Sequence, residues 1–543
     1  MTGHIVIDDV RPRTPTGRYP AKATMGEMVT VRATVFKDGH DVVAARLVVH
    51  RSTPGPGAPA TVAAMSDLGN DEWRAQWRPE RLGLHHLTIE AWTNRHATWA
   101  HKARIKLRAG QDIDVEIAEA VLMVEERLAA GGDSVVLLPA LGALKDDGLP
   151  PEQRLAPALS AGLGAALAGP EGSSDRTESA LVPIWVDRSR ALVGSWYELF
   201  PRSYGGFRGT ARRVPELAAM GFDVLYLPPI HPIGTKFRKG RNNTLTATAE
   251  DPGSPWAIGS SAGGHTAIDP GLGTFGDFSY LLDTLDAHGM EVALDYALQC
   301  APDHPWVHQH PEWFHHRPDG SIAYAENPPK KYQDIYPINF WPEDDADRAA
   351  LWDACKAILD FWIERGVRIF RVDNPHTKPI AFWEWLIPAV QKDHPDIILL
   401  AEAFTRPKVM AKLAEVGFTQ SYTYFTWRTE QYGHEGIRSY VEELAGAKAD
   451  FMRPSFWPNT PDILSGPLRD GPPAAFALRL VLAATLSPSW GMYSGYELYE
   501  NEPASPDSEE YLFSEKYEIK HRDFHQLGSL VELITAVNRI RRR

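Results

Sequence analysis

Four acids in this chain stand at or near the ends of short apolar runs and could do chemistry together. In "GVRIFRVDNPHTKP" (366–379) the apolar residues Val367, Ile369, Phe370 and Val372 lead into Arg371, Asp373 and Asn374. Arg371 and Asp373 are two apart, so they share one face if the run is a strand. The guanidinium can then hold the carboxylate ionised and aimed. "IILLAEAF" (397–404) carries Glu402, "EVALDYALQ" (291–299) carries Asp295, and "RPSFWPNTPD" (453–462) ends in Asp462. One such acid alone reads as solvated surface. Four at the same end of successive strands fit retaining glycoside chemistry. That chemistry needs an ionised carboxylate to attack an anomeric carbon, and a second about 5–5.5 Å away to act as acid and then base. Neighbouring strands lie about 4.8 Å apart, so Asp373 and Glu402 on adjacent strand ends meet the spacing. Glu402, set among Leu, Ala and Phe, is expected to keep its proton above the usual carboxylate range.

The elements that must position these groups follow from periodicity. Eight short apolar segments, "VGSWYELFPRS", "FDVLYLPPIHPIG", "EVALDYALQ", "VRIFRVDNP", "IILLAEAF", "QSYTYFTW", "FMRPSFWPNTPD" and "SWGMYSGYEL", occur after residue 190, with helix-like pieces between several of them. Alternating buried strands and helices predict a parallel sheet, and eight units predict a TIM (β/α)8 barrel over 186–543 with an insertion after the third strand, about 300–345. Its active site belongs at the C-terminal strand ends. Residues 1–107 alternate in short strands separated by turn-rich pieces such as "TPGPGAPA", which predicts an N-terminal β-sandwich. Between them, 108–185 reads as a small helical module: Ile113, Ile117, Val121, Val124 and Leu128 recur at helical spacing, and 151–168 is a second helix, with a stretch between them broken by Pro and Gly. This module is expected to make a subunit or barrel contact.

The chain has 543 residues, 43% of them hydrophobic, and a net charge of −14. It can bury large cores, and its acidity argues against nucleic acid or an anionic membrane as partner. Two cysteines, Cys300 and Cys355, fit a reducing compartment rather than a disulfide framework. "MTGHIVIDDV" lacks a basic segment followed by an apolar core, and "AAFALRLVLAATL" is interrupted by Arg479. A cytoplasmic location is expected.

"ALDYALQ", "FRVDNPH", "LLAEAF" and "NTPD" resemble, in order, the four short motifs of the α-amylase superfamily, and Asp373 and Glu402 are 402 − 373 = 29 residues apart, as is typical there. The longer phrases "SWYELFPRS", "KGRNNTLTA", "DPGSPWAIGS", "AENPPKKYQDIYPINF", "RVDNPHTKP", "AEAFTRP", "NTPDIL" and "SEKYEIK" resemble the maltose-1-phosphate-dependent α-1,4-glucan maltosyltransferases. That resemblance runs from the sandwich to the end of the chain. It implies a cytoplasmic homodimer that lengthens an α-1,4-glucan from its non-reducing end, with α-maltose 1-phosphate as donor and no cofactor. It makes Asp373 the nucleophile, Glu402 the acid/base, Asp462 the transition-state stabiliser and Arg371 the residue that positions Asp373, with Asp295 supporting the pocket floor. Asn374, Lys330 and Tyr332 would face the phosphate, with Asn327 from the same segment. Lys239, Gln299, Asp334, Lys516 and Tyr517 would grip the maltosyl unit. By themselves Lys330 and Lys331 read as a solvated loop, and His376 and Lys378 as loop surface. Gln299-Cys300 stands where amylases have Asn-His, and Pro461 where they have His. The first change removes a usual calcium ligand, so no metal is expected. The resemblance also implies a C-terminal β-sandwich beyond "LITAVNRIRRR", which this sequence does not contain; its absence is expected to uncover barrel surface. Two other readings stay open: a retaining hydrolase or transglycosylase on starch-like glucans, and a glucan-binding protein without catalysis.

Overall fold

A computed structural model describes residues 4–51, 60–170, 173–328 and 330–542; the side chains at 327, 330 and 429–435 fall outside that description, as does nearly all of "TPGPGAPA". The chain divides into two compact units, Met1–Val186 and Asp187–Arg543.

The first unit holds two largely antiparallel sheets. One orders its strands Ile5–Arg11, Val29–Lys37, Glu72–Trp77 and Ser66–Asp67; the other orders Ala21–Thr24, Val182–Asp187, Gly83–Thr93, Val43–His50 and Ala60–Ala64. Val29, Val31, Ala33 and Val35 alternate inward with exposed or half-buried neighbours and share a core with Leu47, Leu87, Ile89 and Ile184.

Helices begin at Arg95, earlier than the boundary at 108 read from the sequence. Asn94 caps Arg95–Ala109 by accepting from Ala97 N–H at 2.9 Å, and Gly110 ends it in the left-handed region, φ 65°. The segment 137–151, read as broken, is largely helical in Ser134–Lys145, which runs through Pro139. Leu137, Ala140 and Leu144 lie on one face of it and pack with Trp99, Ile117 and Val124, and that burial outweighs the lost backbone bond. The second helix, 151–168, is two short ones, Pro151–Leu155 and Ala161–Leu167. The module also does not extend to 185. Thr177–Glu178 and Val182–Asp187 return to pair with Gly83–Thr93. Apolar residues interleaved with Pro183 disguised this strand in the sequence.

All eight expected strands of the second unit form. They are β1 (Gly194–Glu198), β2 (Val224–Leu227), β3 (Glu291–Tyr296), β4 (Ile369–Asp373), β5 (Ile398–Glu402), β6 (Gln420–Ser421), β7 (Ser455–Phe456) and β8 (Ser489–Tyr493). They pair in parallel in the order β6-β5-β4-β3-β2-β1-β8-β7, and a parallel bridge from Ser421 to Pro454 joins the two ends. Trp196, Val224, Ala293, Ile369, Ile398 and Leu400 fill the interior. With the period of two, the next inward positions are Glu198, Tyr226, Asp295, Arg371 and Glu402, so the inner face turns polar toward the C-terminal ends. The long β3–β4 connection contains the hairpin Ala325–Asn327 with Lys330–Tyr332, then the helix Asp345–Ile363. Arg479, inside the apolar helix Pro473–Leu486, donates to the carbonyls of Phe425 at 2.8 Å and Thr426 at 3.2 Å. Among the described residues no helix is long and apolar enough to cross a membrane.

Replacing the cap with Asn94→Ala should cost about 1 kcal/mol in the first unit, and Asn94→Gly only a few tenths. Urea unfolding curves of the two variants check this; equal losses would place the effect elsewhere than the cap.

Candidate active site

Asp373 and Glu402 are direct register partners at the ends of β4 and β5. Their inward position puts both carboxylates against one guanidinium. Arg371 Nη1 lies 2.7 Å from Asp373 Oδ1 and 2.9 Å from Asp295 Oδ2, and Nη2 lies 3.3 Å from Glu402 Oε1. Asp295 Oδ2 also accepts from Tyr226 Oη at 2.6 Å and Trp256 Nε1 at 3.2 Å. One buried cation thus faces two buried acids and the half-buried Glu402. Burial pushes Glu402 up to about 8 and Asp295 up to about 7, each opposed by Arg371 and reinforced by Asp373. Glu198, inward on β1, is likewise pushed up by burial, with Arg371 opposing. Sequence reading passed over Glu198, although its two-residue offset from Trp196 put it on the inner face.

The turn after β4 fixes the two carboxyl groups relative to each other. Asn374 adopts φ 43°, ψ 52°, a left-handed conformation that Asn tolerates. Its backbone N–H then donates to Glu402 Oε2 at 3.1 Å, and its side-chain amide reaches Asp373 Oδ2 at 3.4 Å. Lys378 holds this turn from behind. It is not loop surface: it is 8% exposed, and its ammonium donates to the carbonyls of Asp373 and Asn374, each at 3.2 Å. Burial lowers its pKa, while Asp373 and Glu402 act to raise it. A lysine five residues past a strand-end acid gave no periodic signal, which is why sequence reading missed its burial.

These groups border a cavity of about 800 Å³, within the range of small-molecule sites. Asp373, Asn374, Glu402, Asp462, Lys239, Gln299, Tyr332, Asp334, Lys516 and Tyr517 all line it, as do Lys378 and the half-buried His376; Arg371 and Asp295 are not among its lining residues. Asp462 arrives six residues beyond β7 on a turn bridged by Thr460 and Ile463, and its carboxylate pairs with Lys516 Nζ. Lys516 sits 5.3 Å from the centre of the Trp256 ring, another lining residue that sequence reading left out. Lys239 is buried and donates to the Lys331 carbonyl at 3.1 Å, tying the hairpin to the loop after β2. Asp334 is buried with Oδ1 unpaired, and burial raises its pKa against Lys239 and Lys516. Asn327 and Lys330 pair across the hairpin, but their side chains lie outside the described residues.

Gln299 Nε2 donates to the Trp256 carbonyl at 3.2 Å. The segment carrying it is anchored by buried histidines. Trp306 N–H donates to His304 Nδ1 at 3.0 Å, His304 Nε2 meets His265 Nδ1 at 3.0 Å, and His265 Nε2 meets the Ala297 carbonyl at 2.9 Å. That chain assigns every ring nitrogen a partner and makes both rings neutral, each donating from Nε2. Cys300 Sγ lies within 4.8 Å of the two rings, so the three side chains have the chemistry of a metal cluster. Metal on His304 Nε2 would require a proton on Nδ1, which the Trp306 N–H excludes.

Residues 3–188 match the domain family described as "Alpha-1,4-glucan:maltose-1-phosphate maltosyltransferase, domain N/S". The chain is 52% identical over 558 residues to the Streptomyces coelicolor protein named alpha-1,4-glucan:maltose-1-phosphate maltosyltransferase 1, covering 100% of this chain and 81% of that one. It is 46% identical over 588 residues to the Mycolicibacterium smegmatis alpha-1,4-glucan:maltose-1-phosphate maltosyltransferase, covering 100% of this chain and 83% of the relative. Among solved structures, an alpha-amylase from Lactobacillus plantarum aligns with TM-score 0.50 and 22% identity over 64% of this chain and 80% of its own. That likeness bears on the fold alone.

The raised Glu402 has a consequence for stability. Between its ordinary value of 4.5 and about 8 the folded state holds a proton that the unfolded state releases. Stability from this group is therefore full below about 4.5 and is lost as pH rises through about 8. Glu402→Gln removes that dependence, so its stability relative to wild type should rise from pH 5 to pH 8.5 by an amount on the order of a few kcal/mol. Urea unfolding at the two pH values measures the difference; a constant offset would mean that Glu402 ionises normally.

Proposed function

The chain belongs to the α-1,4-glucan:maltose-1-phosphate maltosyltransferase family, and on that premise we propose that it moves a maltosyl unit from α-maltose 1-phosphate to the non-reducing end of an α-1,4-glucan, releasing phosphate. The observation that carries this reading is that Asp373 and Glu402 line one cavity and share a single guanidinium behind it. In the first half-reaction Asp373 attacks the anomeric carbon from the face opposite the phosphate. The carbon–oxygen bond to phosphate breaks, and a β-maltosyl ester forms on Asp373. Phosphate is a good leaving group, so protonation by Glu402 contributes modestly there. In the second, Glu402 takes the proton of the acceptor's 4-hydroxyl as that oxygen attacks the same carbon and displaces Asp373. Two inversions return the α configuration.

The other residues divide by position. Arg371 aims Asp373, and Asp462 stabilises positive charge developing at the sugar ring. Asn374 and Tyr332 serve the phosphate side, and Lys330 and Asn327, whose side chains lie outside the described residues, are assigned there by sequence resemblance alone. Lys239, Gln299, Asp334, Lys516 and Tyr517 hold the two glucose units. Lys378 is a positioning residue, because it acts through the carbonyls of Asp373 and Asn374. The same carboxylates would serve a hydrolase, from which the transferase differs in releasing inorganic phosphate.

Incubation with α-maltose 1-phosphate and maltohexaose should release phosphate and lengthen the acceptor in steps of two glucoses. Asp373→Ala should lower that rate roughly 10⁴-fold or more, and surviving activity would remove Asp373 as nucleophile. Lys378→Met should lower kcat roughly 10- to 100-fold with a smaller change in donor KM. It should also move the pH profile upward, since Glu402 loses both a positive neighbour and a firmly placed N–H. An unshifted profile would show that the ammonium does not act on the turn.

A further inference from the structure

A maltosyl donor is two sugars long, but its acceptor is a chain and needs a way out of the cavity. When phosphate departs, the acceptor hydroxyl takes its place beside Asn374, so the remaining sugars extend from the β4 side. Phe340 lines the cavity there and packs against Phe382, in the helix following β4, with ring centres 4.8 Å apart. The next residue, Trp341, is the most open tryptophan among the described residues, 54% exposed. Its ring lies 6.0 Å from Trp352, and Trp352 lies 5.6 Å from Trp385, both half-buried. Trp352 Nε1 donates to the Phe340 carbonyl at 3.1 Å, which fixes the backbone that presents both rings. Arg348 covers one face of Trp341 at 4.7 Å while bonding Asp345 at 2.7 Å, and holds the indole in place. His376, which lines the cavity as Phe340 does, keeps Nδ1 buried without a hydrogen-bond partner.

Resting on the transferase reading above, we propose that Phe340 and Trp341 begin a path for the acceptor glucan, with His376 as a hydrogen-bonding group for one of its hydroxyls. The chemistry selects an α-glucan over a protein. A hexose has a C–H-rich face that stacks on an indole and hydroxyl edges that stay in water. The exposed aromatic surface is one ring wide and is flanked by the charged Arg348 and Asp345, which suits a chain one sugar across better than a broad apolar interface. Trp341 thereby favours long acceptors over short ones.

Isothermal titration of maltotetraose and maltodecaose into the wild type, Trp341→Ala and Trp341→Phe, run alongside phosphate release, tests this. The affinity advantage of maltodecaose over maltotetraose should fall roughly three- to tenfold in Trp341→Ala and less in Trp341→Phe. The acceptor KM ratio should fall in parallel. An unchanged length ratio, whatever the melting temperature does, overturns the path and leaves Trp341 as packing for Trp352. If the wild type releases no phosphate yet binds the longer glucan through Trp341, the path stands and the donor reading falls.

Discussion

The site is governed by a shortage of positive charge. Among the described residues Arg371 alone pairs with Asp295, Asp373 and Glu402 together; Arg371, Asp295 and Asp373 are buried and Glu402 is half-buried. Three ionised carboxylates around one guanidinium would leave a buried net negative charge, which a low-dielectric interior does not support. At least one acid therefore keeps its proton near neutrality. Geometry decides which one is best placed to use it. Asp373 has the short contact to Arg371 and the amide of Asn374, while Glu402 has the longer one and a single backbone N–H. One guanidinium shared by three carboxyl groups, with the Lys378 ammonium behind the turn, gives Asp373 and Glu402 unequal surroundings.

The barrel makes that shortage possible. On β1 to β5 its inner face is apolar at the N-terminal positions, Trp196, Val224, Ala293, Ile369, Ile398 and Leu400, and the inward charged groups follow toward the C-terminal ends, next to the cavity. Parallel register between β4 and β5 sets the two carboxyl groups side by side without any loop having to find the other. Loops then add what the strands cannot reach. Asp462, Lys516 and Tyr517 come from segments beyond β7 and β8, and the hairpin after β3 brings Tyr332.

Much of this was legible in the sequence, and the gaps have physical causes. The eight barrel strands are apolar runs with polar ends, and the inward parity of Arg371, Asp373 and Glu402 follows from the period of two. The site groups carried by strands could be placed that way. Lys378 and Trp256 could not, because each acts through a loop whose path no periodicity encodes. The helix through Pro139 and the start at Arg95 escaped for another reason: there, burial among Trp99, Ile117 and Leu144 overrides local propensity. His376 looked like surface since histidine is common there, yet it borders the cavity.

In the N-terminal unit the strand Val182–Asp187 lies between Ala21–Thr24 and Gly83–Thr93, so its neighbours on both sides are made long before it. During synthesis on the ribosome those two earlier strands must wait, unpaired along the edges they will share, while five helices emerge. The sheet is closed by an interior strand that is the last of its strands to appear, and this third of the molecule matures only when residue 187 has cleared the exit tunnel.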